Sequence, residues 1–258
     1  MPADSNGSPR DTGRARFFQR AADAVGQTRL GRKALLGLSR NTTLQRLTIG
    51  GPNPMHLWED EGTFLSFAGP ARKLTLLTDE AMFNLYQVGR QVEAVAGDVA
   101  EVGVYRGGTA VLLAQVFEPA GKRLFLFDTF EGMPESADER VDRHRAGDFD
   151  DTSLDAVTRA LSRWDNVELC QGFFPGTARA VGDRTFALVH VDVDIYQSVS
   201  DSCEFFYPRL TTGGAMVFDD YGQRSCPGAR KAVDEFFSDR PEQPFYLPTG
   251  QCVVWRLP

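Results

Sequence analysis

Two short apolar runs that each end in a pair of aspartates constrain the fold more than any other feature of this chain. The first run, FALVHV, is followed by Asp192 and Asp194, and the second, GGAMVF, is followed by Asp219 and Asp220. Apolar runs of this length are typical of parallel strands that are buried on both faces. Because ligands bind at the carboxyl ends of such strands, the sequence predicts a group of carboxylates at one rim of a sheet.

Carboxylates gathered at one rim repel one another unless a cation lies between them. A set of oxygen ligands favours a hard dication such as Mg²⁺, and a bound dication lowers the pKa of a neighbouring hydroxyl. Asp192, Asp219 and Asp220 are therefore the predicted metal ligands, with a structural cluster paired with arginine as the alternative. Asp194 precedes a helical pattern and is predicted to cap that helix.

From residue 76 onward, strand patterns alternate with helical patterns, which predicts an α/β fold with a doubly wound, mostly parallel sheet. The tail is predicted to form an antiparallel pair at the sheet edge. The predicted strands are 98–102, 123–127, 167–170, 187–191 and 215–218, followed by the tail pair 245–247 and 252–257. The predicted helices are one from residue 77 that stops at Gly97, then 109–117, 153–164, 198–207 and 228–237.

Three parts of the chain differ in composition. Residues 1–14 are small and polar and are predicted to be a disordered arm, residues 15–70 an N-terminal helical extension, and residues 71–258 the α/β domain. Residues 131–152 show no strand or helix pattern and are predicted to form a lid loop. The first 50 residues hold eight Arg and one Lys against three Asp. This basic segment is predicted to be mobile, or else to contact a partner subunit or the substrate.

Composition excludes several classes of protein. No run reaches the roughly 18 apolar residues of a membrane span, and the first 30 residues lack the apolar core of a signal peptide, so a cytoplasmic protein without membrane contact is expected. The body of the chain is acidic and the net charge is −7, which disfavours nucleic acid as a partner. The four cysteines are widely scattered and are expected to be reduced.

A glycine-rich turn follows the first predicted strand. Gly103 and Gly107 let the backbone pass close to a ligand, while Tyr105 stands where the dinucleotide fingerprint requires glycine. Asp128 ends the second strand, where a carboxylate can accept both hydroxyls of a ribose, with a helix cap as the alternative. Glu101 lies inside the first strand and needs a partner, which a cationic group of the ligand would supply.

Six motifs occur together in this order: DVAEVGVYRGGT, LFDTFEGMP, DTSLDAV, VELCQGFFPGT, HVDVDIYQS and YPRLTTGGAMVFDDY. Over roughly residues 72–256 the chain resembles the macrocin O-methyltransferase family of antibiotic-tailoring enzymes. The resemblance implies the Rossmann-like fold of class I methyltransferases. It also implies an enzyme that uses S-adenosylmethionine and Mg²⁺ to methylate sugar hydroxyls on natural products such as macrolides and aminocoumarins.

The same resemblance implies roles for individual residues. Asp192, Asp219 and Asp220 match the family's metal ligands, and Asp192 also matches its general base. The family's N-terminal region helps to form a dimer and the acceptor site, which implies a homodimer or higher homo-oligomer and a small-molecule glycoside substrate. The residues assigned to the cofactor are Thr75, Leu76, Glu101, Gly103, Tyr105, Gly107, Asp128, Thr129, Phe130, Ser153, Gly172, Phe173 and Asp192.

Two residues are candidates for the general base. Asp192 is one, and His144 in the lid is the other, because imidazole titrates near neutrality. His190 lies in a predicted strand, which favours packing or support of its neighbours. Rival functions are a catechol-type metal-dependent methyltransferase with a planar acceptor, a NAD-dependent oxidoreductase, and a non-catalytic protein, which would not need the complete aspartate set.

Overall fold

A seven-stranded sheet forms the centre of the part of the chain that the structure, a computed structural model, describes: residues 56–135 and 140–258. Residues Trp58–Pro258 form one compact unit. The predicted disordered arm, residues 1–14, and the predicted helical extension before residue 56 lie outside the described residues.

The strands appear in the sheet in the order β3-β2-β1-β4-β5-β7-β6. β1 to β5 are parallel to their neighbours, whereas β7 is antiparallel to both β5 and β6. This arrangement confirms the predicted α/β fold and the antiparallel edge at the C-terminus. The strands are β1 Asp98–Val102, β2 Leu124–Asp128, β3 Val167–Gln171, β4 Phe186–Val191, β5 Leu210–Phe218, β6 Phe245–Tyr246 and β7 Cys252–Trp255.

Helices cover both faces of the sheet. Successive side chains of a strand point to opposite faces, and in β4 Leu188 packs in one apolar cluster while Val189 packs in the other. Each large apolar side chain buried in this way stabilises the fold by about 1.5–3 kcal/mol. The described helices are α1 Gly62–Ala71, α2 Asp79–Val92, α3 Gly108–Phe117, α4 Leu154–Leu161, α5 Tyr196–Phe206 and α6 Pro227–Phe237, with short 3₁₀ turns at Leu57–Glu59, Ala178–Val181 and Tyr207–Arg209.

The described helices contribute to two apolar clusters, one on each face of the sheet. Phe64 of α1, Leu85 of α2 and Leu112 of α3 are buried in one layer. Phe206 of α5 and Phe237 of α6 are buried in the other. α1 therefore packs in the core of the described unit, although it falls within the stretch, residues 15–70, that the sequence assigned to an N-terminal extension.

Several boundaries differ from the predicted ones. β5 begins at Leu210 rather than residue 215, because the polar residues before Gly214 are held by backbone pairing: Phe186 is the partner of Leu210, and the Gly213 N–H donates to the Arg256 carbonyl at 2.8 Å. The helix predicted to stop at Gly97 ends at Val92. The start of β5 is therefore set by pairing with segments far away in the chain, which local composition does not indicate.

β4 lies between β1 and β5, so every one of its residues is buried. Its last residue, Val191, pairs with Phe218 at the end of β5, and the Asp219 N–H donates to the Val191 carbonyl at 3.0 Å. This register brings the residues after both strands to the same point of the rim.

Candidate active site

A cavity of about 350 Å³ opens at the carboxyl ends of the parallel strands. It is lined by residues that follow β1, β2, β3, β4 and β5, and by the segment before α2. The predicted cofactor residues that line it are Thr75, Leu76, Gly103, Tyr105, Asp128, Thr129, Gly172, Phe173 and Asp192.

Four predicted cofactor residues do not line this cavity. Ser153 caps α4 by accepting from the Ala156 N–H at 3.3 Å. Gly107 is the residue before α3, with a φ of 86°. Phe130 is buried in the apolar core. Glu101 is fully buried inside β1.

The turn after β1 is held by Asp128. One oxygen of this carboxylate, Oδ2, accepts from the N–H groups of Val104 at 2.7 Å and Tyr105 at 2.9 Å. The other, Oδ1, accepts from the Phe130 N–H at 2.7 Å. Asp128 is followed by a loop and does not cap a helix. Since a carboxylate has about four acceptor sites, Asp128 keeps capacity for ligand hydroxyls.

The carboxylates of Asp192, Asp219 and Asp220 come together beside this turn. One oxygen from each lies within 4.8 Å of the others, and Asp219 and Asp220 are buried. Burial, together with the charge of the neighbouring carboxylates, raises the pKa values of Asp192 and Asp220 well above the usual range. Ionised carboxylates are therefore disfavoured here unless a cation lies among them, and this is the place where the sequence predicted a cation.

Two buried groups lie behind the cluster. Gln251 Nε2 donates to Asp219 Oδ1 at 2.8 Å. His190 Nδ1 lies 2.8 Å from Glu101 Oε1, and its Nε2 lies 3.8 Å from Asp219 Oδ1. Burial lowers the pKa of His190, but the carboxylates of Asp219 and Glu101 raise it more, to about 10.

The partner of Glu101 in the structure is therefore His190, where the sequence suggested a cationic group of the ligand. Glu101 pairs with His190 across the β1–β4 register, so the contact follows from the strand order. A protonated His190 places positive charge behind Asp219 and offsets part of the repulsion within the cluster.

The described part of residues 131–152 contains no helix or strand and covers one side of the cavity. Arg106 forms an ion pair with Asp151, and the Thr152 hydroxyl donates to the Tyr105 carbonyl, so the end of this loop is tied to the turn after β1. Its middle is tied to α5, because Asp142 Oδ1 accepts from the Tyr196 N–H at 2.9 Å.

The lid loop places His144 at the cavity. Its Nδ1 lies 3.3 Å from Asp148 Oδ2, and its Nε2 lies 3.5 Å from Asp194 Oδ1. The His144 side chain is 19% exposed, although a loop histidine is solvated by default.

The prediction that Asp194 caps the following helix is wrong. The residue before α5 is Ile195, and the carboxylate that accepts from the first N–H of the helix is Asp142 of the lid. Asp194 has a φ of 58° and lines the cavity instead. Cys226 Sγ donates to Asp194 Oδ1 at 3.1 Å, and burial raises the pKa of Asp194.

A comparison with protein families agrees with this geometry. A model described as macrocin O-methyltransferase matches residues 60–256. The chain belongs to the macrocin O-methyltransferase family. It is therefore an O-methyltransferase, and its sheet is that of the class I methyltransferases.

Curated relatives of this macrocin O-methyltransferase family member carry similar descriptions. The 8-demethyl-8-(2,3-dimethoxy-alpha-L-rhamnosyl)-tetracenomycin-C 4'-O-methyltransferase of Streptomyces olivaceus is 31% identical over 182 residues, which cover 64% of this chain and 67% of that protein. The demethyldecarbamoylnovobiocin O-methyltransferase of Streptomyces niveus is 29% identical over 182 residues, 65% of this chain and 69% of that protein.

Solved structures show the same fold. The structure of the O-methyltransferase NovP superposes with a TM-score of 0.64 and 25% identity, covering 72% of this chain and 83% of that one. The calicheamicin methyltransferase CalS11 superposes with a TM-score of 0.61 and 18% identity, covering 99% and 97% of the two chains. Within the described part of this family member, no helix is long and apolar enough to cross a membrane.

Sequence reasoning did not identify three residues of the site. Asp142 lies in a loop rich in charged residues, and nothing in its neighbours marks it as the cap of a distant helix. Gln251 and Cys226 stand in segments without a motif. Asp194 was visible as the second acid of HVDVD, but its role depended on a positive φ that the sequence pattern does not indicate.

Proposed function

We propose that this protein transfers a methyl group from S-adenosylmethionine to a hydroxyl of a deoxysugar on a natural product such as a macrolide or aminocoumarin antibiotic, with Mg²⁺ bound at Asp192, Asp219 and Asp220. The observation that carries the proposal is the adjacency, in one cavity, of the Asp128-held turn and the aspartate cluster. The acceptor class is supported by the names of the two relatives described above, which concern a rhamnosyl-tetracenomycin and a novobiocin compound.

The cavity fits S-adenosylmethionine in size and chemistry. Its volume, about 350 Å³, lies in the range of small-molecule sites. Asp128 offers acceptor oxygens to ribose hydroxyls. Leu76 and Phe173 line the cavity and are 67% and 48% exposed, so they present apolar surface that an adenine ring would cover.

The aspartate cluster fits a hard dication. Its donors are oxygens, as Mg²⁺ prefers, and burial with mutual repulsion already raises the pKa values of Asp192 and Asp220. When bound, the ion supplies positive charge that stabilises a developing alkoxide on the sugar. Asp192, Asp219 and Asp220 would hold it, and Gln251 orients Asp219 by donating a hydrogen bond to its Oδ1.

His144 is suited to take the proton of the acceptor hydroxyl. If Nδ1–H donates to Asp148, Nε2 is left without a proton, on the side of the ring where Asp194 lines the cavity. Asp194, 3.5 Å from Nε2, then stabilises the imidazolium that forms. In this proposal, Asp192 is a metal ligand and His144 is the base, of the two candidates that the sequence left open.

The lid residues contribute by excluding water. His144 and Phe149 have ring centroids 5.3 Å apart, and both line the cavity. Methyl transfer is an in-line displacement, so its rate depends on holding the acceptor oxygen opposite the sulfonium carbon. A lid tied at Tyr105 and at Tyr196 can hold the acceptor in that position.

The proposed homodimer or higher oligomer and the cytoplasmic location rest on the family resemblance and on composition. Light scattering on the purified full chain measures the oligomeric state. A mass corresponding to a single 28.5 kDa chain would contradict it.

The function is tested by incubating the purified protein with S-adenosylmethionine carrying a labelled methyl group and a panel of acceptors. Deoxysugar glycosides, a catechol and a flavonoid form the panel, each with Mg²⁺ and with EDTA. We expect label on a sugar hydroxyl with Mg²⁺ and loss of transfer in EDTA. Transfer to the catechol alone would identify a catechol-type enzyme, and undiminished transfer in EDTA would remove the metal from the proposal.

A further inference from the structure

A second group of metal-ligating side chains lies next to the aspartate cluster. His144, Asp194 and Cys226 each offer one ligand atom, and these atoms all lie within 4.8 Å of one another. Cys226 Sγ is 3.1 Å from Asp194 Oδ1, and His144 Nε2 is 3.5 Å from the same oxygen. The group draws its members from the lid, from the segment after β4 and from the residue before α6.

The spacing suits a tetrahedral ion. Zinc binds sulfur at about 2.3 Å and nitrogen or oxygen at about 2.0–2.2 Å, so adjacent ligand atoms of a tetrahedral site lie roughly 3.3–3.6 Å apart. The two separations from Asp194 Oδ1, 3.1 and 3.5 Å, are within a few tenths of an ångström of that range. His144 and Asp194 line the cavity, so water can provide the fourth ligand.

The ligand atoms of this group differ in type from those of the aspartate cluster, Asp192, Asp219 and Asp220. Thiolate and imidazole favour borderline and soft cations such as Zn²⁺, whereas three carboxylates favour Mg²⁺. Cys226 is 2% exposed, and the His144 and Asp194 side chains are 19% and 16% exposed, so an ion there would be largely shielded from water. Binding would replace the thiol proton, which is released to solvent as the sulfur–metal bond forms.

We propose that His144, Asp194 and Cys226 form a second metal site, selective for thiophilic divalent cations such as Zn²⁺ and distinct from the aspartate cluster. Occupancy of this site would engage the His144 ring nitrogen that faces Asp194. If His144 is the base, which rests on the proposed function, a bound Zn²⁺ inhibits methyl transfer even when Mg²⁺ is saturating.

Direct binding is measured by titrating Co²⁺ into the purified full chain in excess Mg²⁺ and recording its absorption spectrum. We expect a sulfur-to-cobalt charge-transfer band in the near ultraviolet, with visible bands of tetrahedral intensity. The band should disappear in Cys226→Ser and persist in Cys170→Ser, a matched control at another buried cysteine. Absence of the band from the wild type, or its persistence in Cys226→Ser, would overturn the proposal.

A second variant keeps the test valid if Cys226→Ser does not fold, as judged by circular dichroism. His144→Ala leaves the thiol in place and removes one ligand, so Zn²⁺ affinity measured by competition with a chromogenic chelator should fall at least about tenfold. An unchanged Zn²⁺ affinity in His144→Ala would also overturn the proposal. Both readouts are independent of activity, so a failed methyl-transfer assay leaves them interpretable.

Discussion

Gly103 and Asp192 are so close that a β-carbon on Gly103 would lie 1.8 Å from the Asp192 carbonyl oxygen. The contact joins the end of β1 to the end of β4, where the Asp192 N–H also donates to the Val102 carbonyl at 2.9 Å. Gly103 has a φ of 87°, which side-chain-bearing residues rarely adopt. The glycine turn and the first aspartate of the cluster are therefore held together by backbone contact.

Gly103→Ala should destabilise the protein strongly. The added methyl group overlaps a backbone carbonyl and the φ is unfavourable, so we expect a loss of about 3 kcal/mol or more in the free energy of unfolding. Thermal denaturation measures it. Gly62→Ala is the matched control, since no atom lies within 4 Å of its added carbon. A melting temperature equal to that of the control would contradict the geometry.

Asp192→Asn should abolish methyl transfer while stabilising the metal-free protein. Burial and the charges of Asp219 and Asp220 disfavour the ionised form of Asp192 and raise its pKa, so removing the charge relieves that cost. We expect kcat to fall at least about 100-fold, with S-adenosylmethionine binding retained in calorimetry. The exposed residue Asp183 provides the control variant, Asp183→Asn. Turnover at the wild-type rate would remove Asp192 from the site.

The lid should loosen when its contact with α6 is disturbed. Asp142 is buried, and a β-carbon on Gly228 would lie 2.0 Å from its Oδ1. Its carboxylate also accepts from the first N–H of α5, where the helix dipole favours negative charge. Asp142→Ala and Gly228→Ala should therefore both raise the hydrogen-exchange rate of residues 140–152.

Both lid variants should also raise KM for the acceptor, because His144 is carried by the same loop. The control is Asp155→Ala, which changes an exposed carboxylate in the first turn of α4. If exchange in residues 140–152 matched that of the wild type in both variants, Asp142 would not anchor the loop.

The cysteine thiols should react slowly in the folded protein. All four are buried, and burial, followed by the charge of Glu168, raises the pKa of Cys170 to about 11. The folded state therefore favours the protonated thiol, and this contribution to stability is complete below pH 9 and is lost as the pH rises through about 11.

Alkylation by iodoacetamide at pH 9, followed by mass spectrometry, checks this expectation for Cys170. The same reagent on the guanidinium-unfolded chain is the reference and should modify Cys170 much faster. Equal rates in the folded and unfolded protein would show that the Cys170 thiol is accessible and its pKa ordinary.

Much of the fold was predictable because the strands are marked by local composition. The predicted strand 187–191 is β4, which begins one residue earlier at Phe186, and the predicted strand 98–102 is β1. Ser153 caps α4 and Pro227 is the first residue of α6, positions that agree with the general preferences of serine for helix caps and of proline for first turns. Strand composition, helix caps and first-turn prolines act within a few residues of the strand or helix that they favour.

Within the site, the sequence predicted which acids lie at the rim but not which groups they meet. Asp192, Asp219 and Asp220 follow directly from the ends of β4 and β5. Glu101 meets His190 only because β1 and β4 are neighbours in a particular register.

By itself, the sequence determined the α/β alternation, the strand ends and the acidic rim, because side-chain periodicity and capping act over short stretches of chain. Tertiary structure alone decided that Asp194 enters the cavity instead of capping α5, and that Asp142 of the lid takes the place of that cap. The physical reason is that such contacts depend on backbone dihedrals in loops and on approaches between segments far apart in the chain. Asp142 and Tyr196, 54 residues apart, are joined by one hydrogen bond that no local pattern encodes.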